Sequence, residues 1–381
     1  MNFDFSDELK QLREEARRFL SERNALGAAR RVLDENGGYD KALWREIAEM
    51  GWIGAAIPEE FGGAGLGHLG LCVLAEELGA ALAPVPFASS AYLAAEAILL
   101  AGSTAQKERY LPKLASGAEI GTLALAEGAG ALDWGRLAST VANGRLTGAK
   151  APVPDGDAAD LAVVAALGAD RRPGLFIVDL AAPGVAREGI ATIDPSRGHA
   201  RLVFNGAAAE PLGSPGEGAA LIERLFDRAA VLFAFEQVGG AQAALDMAKA
   251  YALERYAFGR PIGSFQAIKH KLADVYVATE LARSNAYYGA WALSEDAPEL
   301  PVAAAAARVA ASDAFWLAAK ENVQTHGGMG YTWAFDCHLY YRRAKLLALA
   351  LGAPRAWKER LIVRLEARNE PAPEGATGIT P

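Results

Sequence analysis

The chain has 381 residues, 52% of them hydrophobic, a net charge of −8 and two cysteines. That length supports two or three packed units with a sizeable core, and the acidic balance argues against nucleic acid as a main partner. Cys72 and Cys337 alone give neither a disulfide framework nor a metal-ligand spacing, so no metal is expected and a reducing cytoplasm is the simplest setting. The N-terminal MNFDFSDELKQLREEARRFL is charged and amphipathic, without a signal-peptide apolar core. No run of about 18 uncharged apolar residues reads as a membrane span.

In chain order, residues 1–118 read as a helical unit on apolar spacing and punctuation. Ser6 is the expected N-cap of DELKQLREEARRFLSER, with acidic residues in the first turn. KALWREIAEMGW gives a second helix, ended near Gly51. Pro58 and Gly62–Gly63 then form a loop, and a helix follows up to Gly79. AYLAAEAILLAG and TAQKERYLPKLASG complete the unit. Residues 119–215 change character. GTLALAEG, STVANGRLTGAK, DLAVVAAL, PGLFIVDL and ARLVFNGA are short apolar runs bounded by turn residues, which predicts an antiparallel β unit with turns at Asn143–Gly144 and Gly168–Asp170.

Residues 216–368 return to helical spacing. Segments 218–253, 264–293, 301–326 and 338–350 fit a four-helix bundle, with a short helix at 354–368. The tail, 369–381, is rich in Pro, Gly and Thr and is expected to fray. The whole reads as an α+β multidomain protein.

Two stretches in the last unit carry the functional signal. In RYAFGRPIGSFQAIKHKLAD, from Arg255 to Asp274, Gly259, Pro261 and Gly263 break one helix before another starts. Arg255 can present a guanidinium fork to a phosphate or carboxylate, Phe258 a flat apolar face, and Gln266 a donor and an acceptor. Further on, QTHGGMGY runs from Gln324 to Tyr331, and its pair Gly327–Gly328 lets another backbone or a ligand approach closely. Read singly, each stretch is equally an ordinary interhelical turn.

In this order and spacing the two stretches resemble the acyl-CoA dehydrogenase family, which carries R-x-x-F-G and, after six intervening residues, Gln, and then Q-x-x-G-G-x-G. The IPEEFGG loop matches as well, and the resemblance covers about the whole chain. It implies N-terminal helices, a middle β-barrel covering a flavin ring, and a C-terminal four-helix bundle. It also implies a tetramer that removes a Cα proton and a Cβ hydride from an acyl-CoA, with an electron-transfer flavoprotein or similar acceptor as partner. Arg255, Phe258, Gln266, Gln324, Gly327 and Gly328 are then expected to contact FAD held mainly by a neighbouring subunit.

The chain departs from the family where the chemistry is done. The two places at which members keep a catalytic Glu match Leu351 and Ala229, and neither can accept a proton. Asp227 matches an Asp that many members carry without using it as the base. Glu236, about two turns beyond Ala229, is a weak candidate for a relocated base; it reads equally as a buried ion-pair partner. In the β unit, Ala126 stands where members have a flavin-holding Thr, and Pro152 and Pro154 replace the aromatic and hydroxyl residues that flank the ring. The resemblance therefore extends to the base-lacking subunit of α2β2 heterotetramers acting on steroid-type CoA esters. A homotetramer with a relocated base or altered chemistry, and a non-catalytic structural partner, remain open.

Overall fold

The structure, a computed structural model, describes residues 5–35, 37–128, 130 and 132–369, so the tail from residue 370 lies outside the described residues. The chain opens with α1 (Asp7–Glu22), α2 (Ala25–Asp34), α3 (Lys41–Glu49), α4 (Gly67–Ala80), α5 (Glu96–Ala101) and α6 (Thr104–Ala115). Capping chemistry sets several starts. Ser6 accepts from the Leu9 N–H, Asp40 from those of Ala42 and Leu43, and Ser103 with Gln106 forms a reciprocal capping box. The apolar stretch before α5 is not plain α-helix: Ala88–Ala95 is a π-helical run, buried at every position. The Pro58 loop contains one tight approach, because a Cβ on Gly63 would sit 1.9 Å from the Ile57 carbonyl oxygen.

The middle segment forms β1 (Gly121–Ala124), β2 (Thr140–Ala142), β3 (Arg145–Pro154), β4 (Leu161–Leu167), β5 (Pro173–Asp179), β6 (Val185–Gly189), β7 (His199–Ala208) and β8 (Glu210–Leu212). They make one sheet in the order β6-β7-β3-β2-β4-β5-β8, with β1 added beside β4. Two expectations are corrected here. The sheet does not close into a barrel, because the path ends at β6 on one side and β8 on the other. It is not purely antiparallel either: β1 runs parallel to β4 over Gly121–Ala124, and β2 meets β4 in parallel at Thr140. Both ends are poor templates for further pairing, since β6 exposes Arg187 and Glu188 and β8 is three residues long with Pro211 at its centre. Pro152 is tolerated inside β3 because the β3–β7 register slips between Lys150 and Val153.

The C-terminal segment is helical. α7 (Gly218–Glu254), α8 (Gln266–Ser294), α9 (Leu300–His326) and α10 (Cys337–Leu349) pack together, and α11 (Pro354–Asn369) lies against α9. Leu300–Tyr331 is long and apolar enough to cross a bilayer, yet most of it is buried against the other helices, as suits a core helix. α4 packs on α7 with no side chain between them at the crossing. A Cβ on Gly79 would lie 2.0 Å from the Glu236 carbonyl oxygen, and one on Gly239 1.8 Å from that of Glu76. The carboxylates of Glu76 and Glu77 are buried at this seam and neutralised: Arg13 and Arg283 hold the first, and Arg17 holds the second at 2.8 Å.

Candidate functional site

The break after α7 is a miniature hairpin. β9 (Tyr256–Ala257) pairs with β10 (Arg260–Pro261), and the two residues between them, Phe258 at φ +52 and Gly259 at φ +80, are both left-handed. That is the two-residue primed turn favoured in hairpins, but with phenylalanine where glycine, asparagine or aspartate is usual. Left-handed backbone costs such a residue on the order of 1–2 kcal/mol. The ring is nevertheless 96% exposed, with an edge contact to Phe265 at 6.1 Å. Arg255 has a pinned backbone and a loose head. Its N–H donates to the Tyr251 carbonyl at 2.8 Å and its carbonyl accepts from Ile262 at 2.7 Å, while its exposed guanidinium has no ion pair or hydrogen bond among the described residues. Gln266 is the first residue of α8 and is exposed.

The second stretch ends α9. Gln324, Gly327 and Gly328 are exposed, and Gly327 takes φ +61 to leave the helix. A Cβ on Gly327 or Gly328 would meet nothing within 4 Å, whereas one on Gly330 would lie 2.5 Å from the Val323 carbonyl oxygen. Packing within the chain thus accounts for Gly330 and leaves Gly328 open to an outside approach. The bundle brings both stretches to one end: Tyr251 of α7 stacks on His326 of α9 at 4.1 Å, and Lys271 of α8 pairs with Glu321 of α9 at 3.2 Å. This end also exposes Leu253, Tyr256, Met329, Tyr331 and Trp333. Their accessibility had no signal in the sequence, because large apolar residues at helical spacing usually face the core.

The two positions matching the family's base are placed differently. Ala229 is fully buried in α7. Leu351, at φ +61, caps the turn after α10, where its carbonyl accepts from Trp357 Nε1 at 3.1 Å. Beside Ala229, the Arg228 guanidinium and the His68 imidazole clamp the buried Glu96 carboxylate. Burial alone would raise that carboxyl, but His68 and then Arg228 outweigh it and hold Glu96 at about 2. No spacing rule connects positions 68, 96 and 228, so this cluster was invisible in the sequence.

Glu236 is 3% exposed and lies between two buried guanidiniums, Arg197 at 3.1 Å and Arg343 at 3.8 Å. Arg343 continues to Asp194 at 2.6 Å and Ser196 at 2.9 Å, so the cluster ties α7 and α10 to the loop between β6 and β7. Asp227 is different: burial pushes its carboxyl up to about 6 despite Arg364 at 2.7 Å.

On the sheet, the segment around Ala126 is fastened inward. The Ala126 carbonyl accepts from Ala151 at 2.8 Å. The neighbouring Glu127 carboxylate accepts from Lys150 Nζ at 2.8 Å and from the Ala138 and Ser139 N–H groups at 2.7 and 2.9 Å. Burial pushes Glu127 up, but these donors overcome it and keep the group ionised down to about 2. Pro152 and Pro154 have no N–H to offer. Glu127 and Lys150 are thus paired with each other at this face. Among the described residues, the bundle end by contrast carries an unpaired cation, a projecting ring and an open glycine pair.

Known proteins share this architecture. Residues 6–118 match the family model described as acyl-CoA dehydrogenase, N-terminal domain, and residues 216–360 match acyl-CoA dehydrogenase, C-terminal domain. Among curated proteins, acyl-CoA dehydrogenase IpdE2 of Mycobacterium tuberculosis is 37% identical over 360 residues, covering 93% of this chain and 96% of that protein. Among solved structures, a single-residue variant of the Tcur3481-Tcur3483 steroid ACAD superposes with a TM-score of 0.86 at 33% identity, covering 95% of this chain and 98% of that one. The ChsE4-ChsE5 complex from Mycobacterium tuberculosis gives 0.87 at 29% identity, covering 98% and 100%.

Proposed function

The chain belongs to the acyl-CoA dehydrogenase family of flavin-dependent oxidoreductases, and on that premise we propose that it is the subunit of a heterotetramer that lacks the base and completes its partner's FAD site. One observation carries this reading: Arg255, Phe258 and Gly327–Gly328, the residues expected at a dinucleotide, are exposed at the bundle end, while the positions matching the family's base, Ala229 and Leu351, are aliphatic. Arg255 supplies a guanidinium for a diphosphate, Phe258 a ring for stacking, and Gln266, Gln324 and the Gly327–Gly328 backbone a surface along which the cofactor lies. When bound, FAD supplies the acceptor for the Cβ hydride of an acyl-CoA thioester. The Cα proton then goes to a glutamate of the related partner subunit, and the electrons leave through an electron-transfer flavoprotein or similar acceptor. Similarity to a steroid ACAD and to a complex of two different chains supports a bulky CoA ester as substrate and a hetero-oligomer as the working form. Cytoplasmic residence fits the two free, buried cysteines.

The experiment is purification of this chain alone and together with a related chain that carries the glutamate. Removing a general base costs roughly 10²–10⁴-fold in rate, so the isolated chain should show no appreciable acyl-CoA dehydrogenation. Activity should appear with the partner and vanish when the partner's glutamate is replaced. Turnover by the isolated homo-oligomer would overturn the proposal.

A further inference from the structure

His326 is the last residue of α9, directly before the Gly327–Gly328 pair, and is 5% exposed. Its ring is held on three sides. It stacks on Tyr251 of α7 at 4.1 Å and 25°, meets the Phe335 ring edge-on at 5.7 Å, and places Nδ1 2.9 Å from the Asn322 carbonyl oxygen one turn back. A carbonyl only accepts, so that contact requires the hydrogen on Nδ1. Burial pushes the ring below its ordinary value by more than the Asn322 bond raises it, which keeps the imidazole neutral near pH 7 with no second hydrogen. Nε2 is thereby fixed as a lone-pair acceptor. It has no partner among the described residues, yet it is not one of the side-chain atoms that are both sealed from solvent and unpaired. An otherwise packed ring thus offers one free polar atom, and that atom is an acceptor.

We infer that His326 is a contact residue for the nucleoside part of the cofactor, its Nε2 accepting a hydrogen bond from a ribose hydroxyl or the adenine amino group. This rests on the FAD reading given under Proposed function. Tyr251 links the imidazole to the rest of that site: its ring carries His326, and its carbonyl takes the Arg255 N–H at 2.8 Å, one helical turn on. The two side chains select opposite chemistry. Arg255 has donors only and suits a diphosphate, whereas a lone pair at Nε2 repels phosphate oxygens and calls for an O–H or N–H donor. A dinucleotide carries both kinds of group a few bonds apart. Packing does not require the acceptor, since a phenylalanine at this position would keep the stack on Tyr251.

Flavin binding by the assembled enzyme, this chain together with the related chain, tests the assignment without turnover. The complex is stripped of flavin and titrated with FAD and with analogues lacking, one at a time, the adenine amino group and each hydroxyl of the adenosine ribose; flavin fluorescence gives Kd. His326→Phe keeps a ring for Tyr251 and removes the acceptor. The expected result is a roughly 2- to 12-fold higher Kd for FAD in His326→Phe, the range for one neutral hydrogen bond, and one analogue that both proteins bind alike. That analogue identifies the donor as the amine or a hydroxyl. An unchanged Kd for FAD, or the same loss for every ligand in the set, overturns the assignment. Should His326→Phe fail to assemble, His326→Leu, which also lacks an acceptor, takes its place. Arg255→Ala separates this assignment from the reading beneath it. FAD binding weakened by Arg255→Ala and untouched by His326→Phe removes His326 alone; FAD binding indifferent to both variants removes the cofactor site.

Discussion

Phe258 is a phenylalanine in the left-handed region with nearly all its ring in water, and the edge of Phe265 is its one ring contact among the described residues. Backbone strain of this kind clusters at ligand-binding and switch sites. Arg255 shares the pattern, with its backbone bonded on both sides and its guanidinium unpaired among the described residues. A charge-assisted hydrogen bond is worth about 1.5–3 kcal/mol. Arg255→Ala in the assembled enzyme should therefore weaken flavin retention roughly 10- to 150-fold, measured as released flavin against dilution. Unchanged flavin content would remove Arg255 from the cofactor site. Two short motifs single these residues out in the sequence as candidates. Their exposure was not legible there, since a Phe and an Arg at a helix end read equally well as a core side chain and a surface charge.

At the scale of elements, helices were the most legible. The spacing that predicts 218–253 and 301–326 corresponds to α7 at Gly218–Glu254 and α9 at Leu300–His326, because long apolar periodicity reports burial directly. The turn at Asn143–Gly144 is present with both residues left-handed, as its chemistry dictates. What escaped is short or depends on distant partners. α2 is ten residues long, β6 is a polar edge strand, and the parallel pairing of β1 with β4 leaves no local trace. The β9–β10 hairpin has only two residues per strand, below any periodic signal. It makes a prediction of its own. Phe258→Gly should relieve the left-handed strain and stabilise the isolated chain by about 1 kcal/mol in urea unfolding. The same change should lower flavin retention in the complex. Stabilisation without loss of flavin would show that the ring serves the hairpin and not the cofactor.

At the scale of the molecule, the Glu236 cluster joins the sheet to the bundle. Breaking one partner of a buried ion pair typically costs about 3–5 kcal/mol, because it strands the opposite charge. Glu236→Gln should lower the unfolding free energy by an amount in that range, as Arg197 and Arg343 lose their shared anion. Turnover of the assembled enzyme at a permissive temperature should stay close to wild type. Abolished turnover in a folded variant would make Glu236 a relocated base and reverse the subunit assignment. The sequence left both roles open for this residue, since nothing local says whether a mid-helix glutamate meets a guanidinium or a substrate.

The crossing of α4 and α7 constrains how such a molecule can move. With backbone resting on backbone at Gly79 and Gly239, there is no cushion of side chains to slide or repack between the N-terminal helices and the bundle. Neither a hinge nor a shear plane can operate there, so the two helical units tumble and melt as a single mechanical body.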